Sequence, residues 1–144
     1  MASVASLVTL DLCLEPLMMK GDKKAFSQCI SNILINCGEA LEFKTAPNIS
    51  LSSYIPSAQE LKEEKIQGQN YLCIRIKDNG IGIRNDDLIN IFTPFYTTKG
   101  LKHQGMGLSF VQGYIRQIDG HLRVNSKQSL ETTIYIYIST VKLF

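Results

Sequence analysis

Val8, Leu10, Leu12 and Leu14 alternate with Thr9, Asp11, Cys13 and Glu15. A period of two predicts a half-buried strand, closed by Pro16. From about Lys24 to Phe43 the period changes: Phe26, Ile30, Ile33, Leu34, Cys37 and Leu41 fall on one stripe, which predicts a long amphipathic helix despite Gly38. Asn48 to Ile55 and Tyr71 to Lys77 predict two further strands. The segment between them, Pro56 to Asn70, carries Glu60, Lys62, Glu63, Glu64 and Lys65 and reads as a solvated excursion. Asp78 to Ile83 is a glycine-punctuated turn, and Asn85 to Phe92 predicts a short helix stopped by Pro94. A loop rich in Thr, Lys and Gly then runs to Gly107. Leu108, Val111, Ile115 and Ile118 predict a second main helix over 108–118. Two strands close the chain, one with Leu122, Val124 and Ser126 on one face, the other with Thr132, Ile134, Ile136 and Ile138. Strands interleaved with helices, without repeat or linker, predict one α+β or α/β domain over 1–144.

The composition fits that picture. The chain has 144 residues, 44% hydrophobic and 19% charged, with a formal net charge of +2. So slight a surplus argues against a nucleic-acid-binding surface and leaves room only for a small anion held locally. No apolar run approaches the eighteen or so residues of a membrane span, so no membrane contact is expected. Cys13, Cys29, Cys37 and Cys73 show no C-x-x-C spacing, and His103 and His121 are far apart, so zinc is not expected. Four free thiols in a reducing compartment are the simpler reading. The N-terminus lacks a basic segment and Asp11 interrupts its apolar stretch, so no secretory signal is read there and the cytoplasm is the expected location.

The candidate chemistry starts at Asp78. Period two puts it on the face of Leu72, Ile74 and Ile76, where a carboxylate needs hydrogen bonds or a matching ligand. By the same parity Thr132 shares a face with Ile134, Ile136 and Ile138, so the two polar groups meet at one end of the core. Asp78 as a cap for the following turn is the alternative. Gly80 and Gly82 leave the backbone beside Asp78 bare, which lets a flat ligand approach. Gly105-Met106-Gly107 precedes a helix whose N-terminal amides suit a phosphate. Gly100 to Gly105 has the outer spacing of a P-loop, but Met106-Gly107 stands where Lys-Ser/Thr is required; after Gly80 and Gly82, Asn85 stands where the third dinucleotide glycine would fall. On the long helix Asn32, Asn36 and Glu39 form a polar strip roughly opposite the apolar stripe. It reads either as a solvated face or, with a nucleotide nearby, as a source of amide oxygen for magnesium.

Taken in order, Asn32-x-x-x-Asn36, Asp78-Asn-Gly80-Ile-Gly82-Ile83, Phe92-Thr-Pro-Phe95-Tyr-Thr-Thr98-Lys99 and Gly105-Met-Gly107-Leu108 resemble the N box, first glycine box, F box and second glycine box of bacterial sensor histidine kinase catalytic domains. These belong to the superfamily that includes gyrase, Hsp90 and the mismatch-repair ATPases. The resemblance covers nearly the whole chain. It implies an α+β fold, a two-layer α/β sandwich of the Bergerat ATP-binding type, with a mixed sheet of about five strands and helices on one face. It implies ATP and Mg2+ as cofactors. Asp78 would accept from the adenine amino group, with Thr132 helping through a water; Gly80 and Gly82 would admit the base, and Ile83 and Leu108 would cover it. Asn36 would hold magnesium, with Asn32 beside the phosphates. Thr98, Lys99 and the amides near Gly105 and Gly107 would steady the phosphate chain. Phe92 and Phe95 would anchor a lid or serve as plain core aromatics.

Ser109, Met106 and Glu131 stand where the family pattern commonly has glycine, threonine and glycine. Neither His103 nor His121 sits in a phosphoacceptor signature, so the resemblance implies the catalytic part of a longer kinase. Such a part is expected to be monomeric alone, to act on the parent's phosphoacceptor/dimerisation domain and to serve a downstream response regulator. Two other functions use the same fold: an ATP-hydrolysing motor, whose relatives carry a glutamate base where Asn32 stands, and a degenerate nucleotide-binding docking module.

Overall fold

The computed structural model describes residues 7–92 and 107–142. Eleven elements follow in order among them: β1 Val8–Asp11, β2 Leu17–Met18, α1 Lys23–Ala40, β3 Ile49–Tyr54, α2 Ala58–Glu63, β4 Tyr71–Asp78, α3 Asn85–Leu88, α4 Gly107–Gln117, β5 His121–Lys127, β6 Glu131–Ser139 and β7 Val141–Lys142. Five strands make a mixed sheet in the order β1-β3-β4-β6-β5, with β1 and β3 parallel and the other pairs antiparallel. This is the α+β sandwich that the sequence predicts.

The core lies on one face of that sheet. Ile49, Ile74, Ile76, Ile134, Ile136 and Ile138 pack there against Cys29, Ile33 and Cys37 of α1 and Val111, Tyr114 and Ile115 of α4. Asp22 caps α1 by accepting from Lys24 N at 2.8 Å and Ala25 N at 3.3 Å. The helix stops at Ala40, before the predicted Phe43, for a reason outside its own sequence. The Ala40 carbonyl, which would bond the amide of Lys44 in a longer helix, accepts instead from Ile81 N at 3.1 Å. Its partner helix is tied down at two places: Tyr114 Oη donates to the Asp22 carbonyl at 3.1 Å, and Asn32 Nδ2 to the Gly107 carbonyl at 3.3 Å. The two helices therefore run in opposite directions.

Further features differ from the sequence expectations, among them α3, which ends at Leu88 rather than Phe92. The segment read as a solvated excursion contains α2, capped by Ser57, whose Oγ accepts from Glu60 N at 3.1 Å. Its Leu61, with Ile66, packs on Cys73 and Tyr137, which face away from α1 and α4, so this short helix covers the outer face of the sheet. Tyr54 Oη fastens it by donating to both Glu60 carboxylate oxygens, at 3.0 and 3.1 Å. The first strand ends at Asp11, and its expected buried face is covered only at its start: Val8 packs on the core, whereas Leu10 is 61% exposed and Leu14, past the strand, 96%. Edge strand β1 has one neighbour, and alternation alone does not supply a cover. A second sheet, β2 against β7, is only two residues long on each side and leaves no periodic signal to read.

All four cysteines are free thiols. Burial pushes the thiols of Cys29 and Cys73 up to about 11, so neither offers a thiolate near neutral pH. Among the described residues no helix is long and apolar enough to cross a membrane.

Candidate nucleotide-binding site

Asp78 is the last residue of β4 and only 3% exposed. Strand register sets it directly opposite Thr132 on β6, and Thr132 directly opposite Ser126 on β5. Three polar residues thus form one row across three strands at the end of an isoleucine face. Asp78 Oδ1 accepts from Gly80 N at 2.8 Å, a buried turn bond of the kind expected for a cap. A carboxylate has about four lone-pair positions and can accept more than one bond.

The loop that follows is clamped from three sides. Asn79 Oδ1 accepts from Asn48 N and its Nδ2 donates to the Ala46 carbonyl, both at 2.8 Å, which joins the loop to the segment after α1. Ile81 N bonds Ala40, as above. Its carbonyl accepts from Ser129 N at 2.6 Å in the β5–β6 turn, and Ile83 N donates to Ser126 Oγ at 2.8 Å. The glycines answer to this crowding. A Cβ on Gly80 would lie 2.6 Å from the Ala40 carbonyl oxygen and 2.8 Å from Asp78 Oδ1. On Gly82, at φ +70°, it would overlap the Lys127 carbonyl and sit 2.8 Å from Gln128 Cα. The bare backbone is thus needed first by the protein's own close approach beside Asp78.

The asparagine strip lies on the shoulder of α1, half-buried, rather than opposite the apolar stripe. α4 causes this by packing against that shoulder. Asn32 is fixed at both ends of its amide: Oδ1 accepts from Gln28 Nε2 at 2.7 Å, while Nδ2 holds the Gly107 carbonyl. A Cβ on Gly107 would stand 3.7 Å from both Asn32 Cβ and Asn36 Nδ2, so the first residue of α4 faces this strip. Leu108 turns into the main core.

One helix joins the two halves of the site. Asn32, Asn36 and Ala40 are spaced by four residues on a single line of α1, about 6 Å per step. Gly107 meets the Asn32–Asn36 end and Gly80 meets the Ala40 end. This line of α1 thus runs from the acceptors Asp78 and Thr132 at one end to the amide groups of Asn32 and Asn36 at the other, where the N-terminus of an eleven-residue helix arrives. Among the described residues no group of three or more His, Cys, Asp or Glu could hold a metal ion.

Thr98, Lys99 and Gly105 lie outside the described residues, as do Phe95, His103 and Met106. Glu131, which departs from the family pattern beside Thr132, turns to the outer face, where its carboxylate meets Lys77 Nζ at 2.9 Å. That bond lowers its carboxyl below the usual range and holds the charge on the face away from Asp78. His121 is on the same outer face, edge-on to Tyr71 at 6.1 Å between ring centres. Its neighbour Arg123 stacks over Tyr135 at 3.9 Å and pairs with Glu64 at 3.0 Å. Sequence reasoning missed Ala40, Asn79 and Ser126. For Ser126 a signal was available, since it shares the inward parity of Leu122 and Val124 and is polar.

Comparison with known proteins assigns the chain to a family. The family described as histidine kinase-, DNA gyrase B-, and HSP90-like ATPase matches residues 21–142. The chain belongs to that family, as an ATP-binding domain. "Sensor kinase CckA" of Brucella abortus (strain 2308) is 33% identical over 124 residues, 83% of this chain and 13% of the relative. The chain thus spans about an eighth of that relative's length. In solved structures, the mycobacterial sensor histidine kinase MprB superposes with a TM-score of 0.74 at 19% identity, over 96% of this chain and 87% of that one. Full-length ShkA in complex with AMPPNP superposes at 0.71 and 17%, over 94% of this chain and 26% of that one. At such identities the two structures speak for the fold.

Proposed function

We propose that this domain binds Mg-ATP and passes the γ-phosphoryl group to a histidine on a separate phosphoacceptor/dimerisation domain, as the catalytic part of a two-component sensor kinase in the cytoplasm. The observation that carries the reading is that one line of α1 joins the row of Asp78 and Thr132, reached through Ala40 and Gly80, to Asn32, Asn36 and the start of α4. In it, Asp78 accepts from the 6-amino group of adenine, and Thr132 assists. Gly80 and Gly82 let the loop close beside the base, with Ile83 and Leu108 at its edges. The α4 N-terminus near Gly107 meets the phosphates, while Thr98, Lys99 and Gly105 add donors from the intervening segment. Magnesium, when bound, neutralises phosphate charge, and Asn36 is the residue that would hold it through its amide oxygen. The downstream partner is a response regulator.

The motor reading is disfavoured at one residue. An amide is not a base near neutral pH, and the Asn32 amide is held by Gln28 and Gly107, so it does not activate water. The isolated domain is therefore expected to hydrolyse ATP slowly and to phosphorylate an added phosphoacceptor domain, at high concentration because the tether is lost. Radiolabel should appear as acid-labile, base-stable phosphohistidine on the acceptor. Rapid ATP turnover by the domain alone would restore the motor, and label on His103 or His121 would misplace the acceptor.

Base recognition has its own test. Asp78→Asn keeps the shape but introduces an amide donor opposite the adenine amino group. ATP affinity by calorimetry is expected to fall about tenfold or more, roughly 1.4 kcal/mol. Equal affinities for the two proteins would remove Asp78 from the site.

A further inference from the structure

Ser126 Oγ makes three contacts and owns one proton. It accepts from Ile83 N at 2.8 Å, donates to the Glu131 carbonyl at 3.0 Å and lies 2.7 Å from Thr132 Oγ1. A carbonyl cannot donate, so the Glu131 bond uses the serine proton. The contact with Thr132 then has a single polarity: Thr132 donates and Ser126 accepts. The threonine proton is thereby directed along the row toward β5, and Thr132 presents lone pairs on the side of Asp78, its opposite number on β4.

We propose that Ser126 is a positioning residue that fixes the hydroxyl of Thr132 as an acceptor, so that the Asp78–Thr132 corner selects purines with a 6-amino donor over those with a 6-oxo group. The inference rests on the nucleotide reading above and adds to it a residue that need not touch the base. Two acceptors side by side suit an amino group, directly or through one water, and repel a carbonyl oxygen in its place. Ser126 also supplies the acceptor for Ile83 N, so the same hydroxyl holds the loop beside the base. Removing it has two separable effects. Loss of the Ile83 bond weakens all nucleotides alike. Release of the Thr132 proton acts on selectivity: turned toward the base it donates to a 6-oxo group, and turned toward Asp78 it occupies an acceptor that the 6-amino group needs. Both routes narrow the preference.

The test uses ADP and inosine diphosphate with the whole chain, by calorimetry, so that turnover plays no part. Wild type is expected to prefer ADP by about tenfold or more. Ser126→Ala should narrow that ratio about threefold or more, beyond any common loss of affinity, while Ser126→Thr, which keeps the hydroxyl, should restore it. If circular dichroism shows that the alanine variant does not fold, Ser126→Cys, close in size and a weak hydrogen-bonding partner, takes its place with the same expected narrowing. An unchanged ratio in the folded variant, with or without weaker binding, overturns the role of Ser126 and leaves the nucleotide reading standing. A wild-type chain that binds neither diphosphate overturns both.

Discussion

Asn36→Ala is expected to lower phosphoryl transfer to an added acceptor domain by about two orders of magnitude, roughly 2.7 kcal/mol of transition-state stabilisation. Binding of adenosine should change by less than about twofold. The asymmetry follows from where Asn36 sits. It is one turn of α1 from Ala40, which touches the loop beside Asp78, yet its own amide faces Gly107, at the end proposed for the phosphates. Losing it leaves the base contacts and the helix in place, since alanine is a good helix former. The measurements are single-turnover transfer with Mg-ATP and calorimetry with adenosine, side by side. An equal loss for both would show a damaged helix, and no loss in transfer would show that the metal is held elsewhere.

Gly82→Ala should have the largest effect on stability of any single methyl group added in this loop, about 2 to 5 kcal/mol in urea denaturation. Two causes act together. An L side chain at φ +70° costs roughly 1 to 2 kcal/mol, and overlap with the Lys127 carbonyl and Gln128 backbone adds about 1 to 3 kcal/mol. The neighbours are backbone of the β5–β6 turn, which gives less readily than a side chain. ADP affinity should fall as well, because the turn that must shift also carries the bond from Ser129 N to Ile81. A variant with wild-type stability would mean that the loop moves away without loss, and that its clamp is weaker than its hydrogen bonds suggest.

Most of the architecture is legible in the sequence because its main elements are long and have a covered face. The eighteen residues of α1 and the eight and nine of β4 and β6 repeat their period often enough to be read, and parity alone places Asp78 and Thr132 on one face. What escapes is decided by partners distant in the chain. α2 is six residues with one buried apolar position, Leu61, and it forms on a surface made by Cys73 and Tyr137 that its own pattern does not announce. Leu10, Leu12 and Leu14 alternate as a buried strand would, yet β1 ends at Asp11 and all three are exposed. Asn32 and Asn36 read as polar and therefore outward, whereas α4 packs on their shoulder through Gly107. Ser126 was visible as an inward polar residue, but the direction of its proton depends on Glu131 and Ile83, which only tertiary structure brings to it.

The row of Asp78, Thr132 and Ser126 has a consequence for how this gene can change. A strand keeps a side chain on its face only by counting residues in twos, and the antiparallel pairs of β4, β6 and β5 share one count. A single codon lost between Tyr71 and Asp78 would send every later residue of β4 to the opposite face, placing Asn79 where Asp78 belongs. Substitutions along these strands can accumulate one at a time, but changes of length cannot. Length variation in descendants of this sequence should therefore collect in the turns and in the arm that carries α2, where no count is kept.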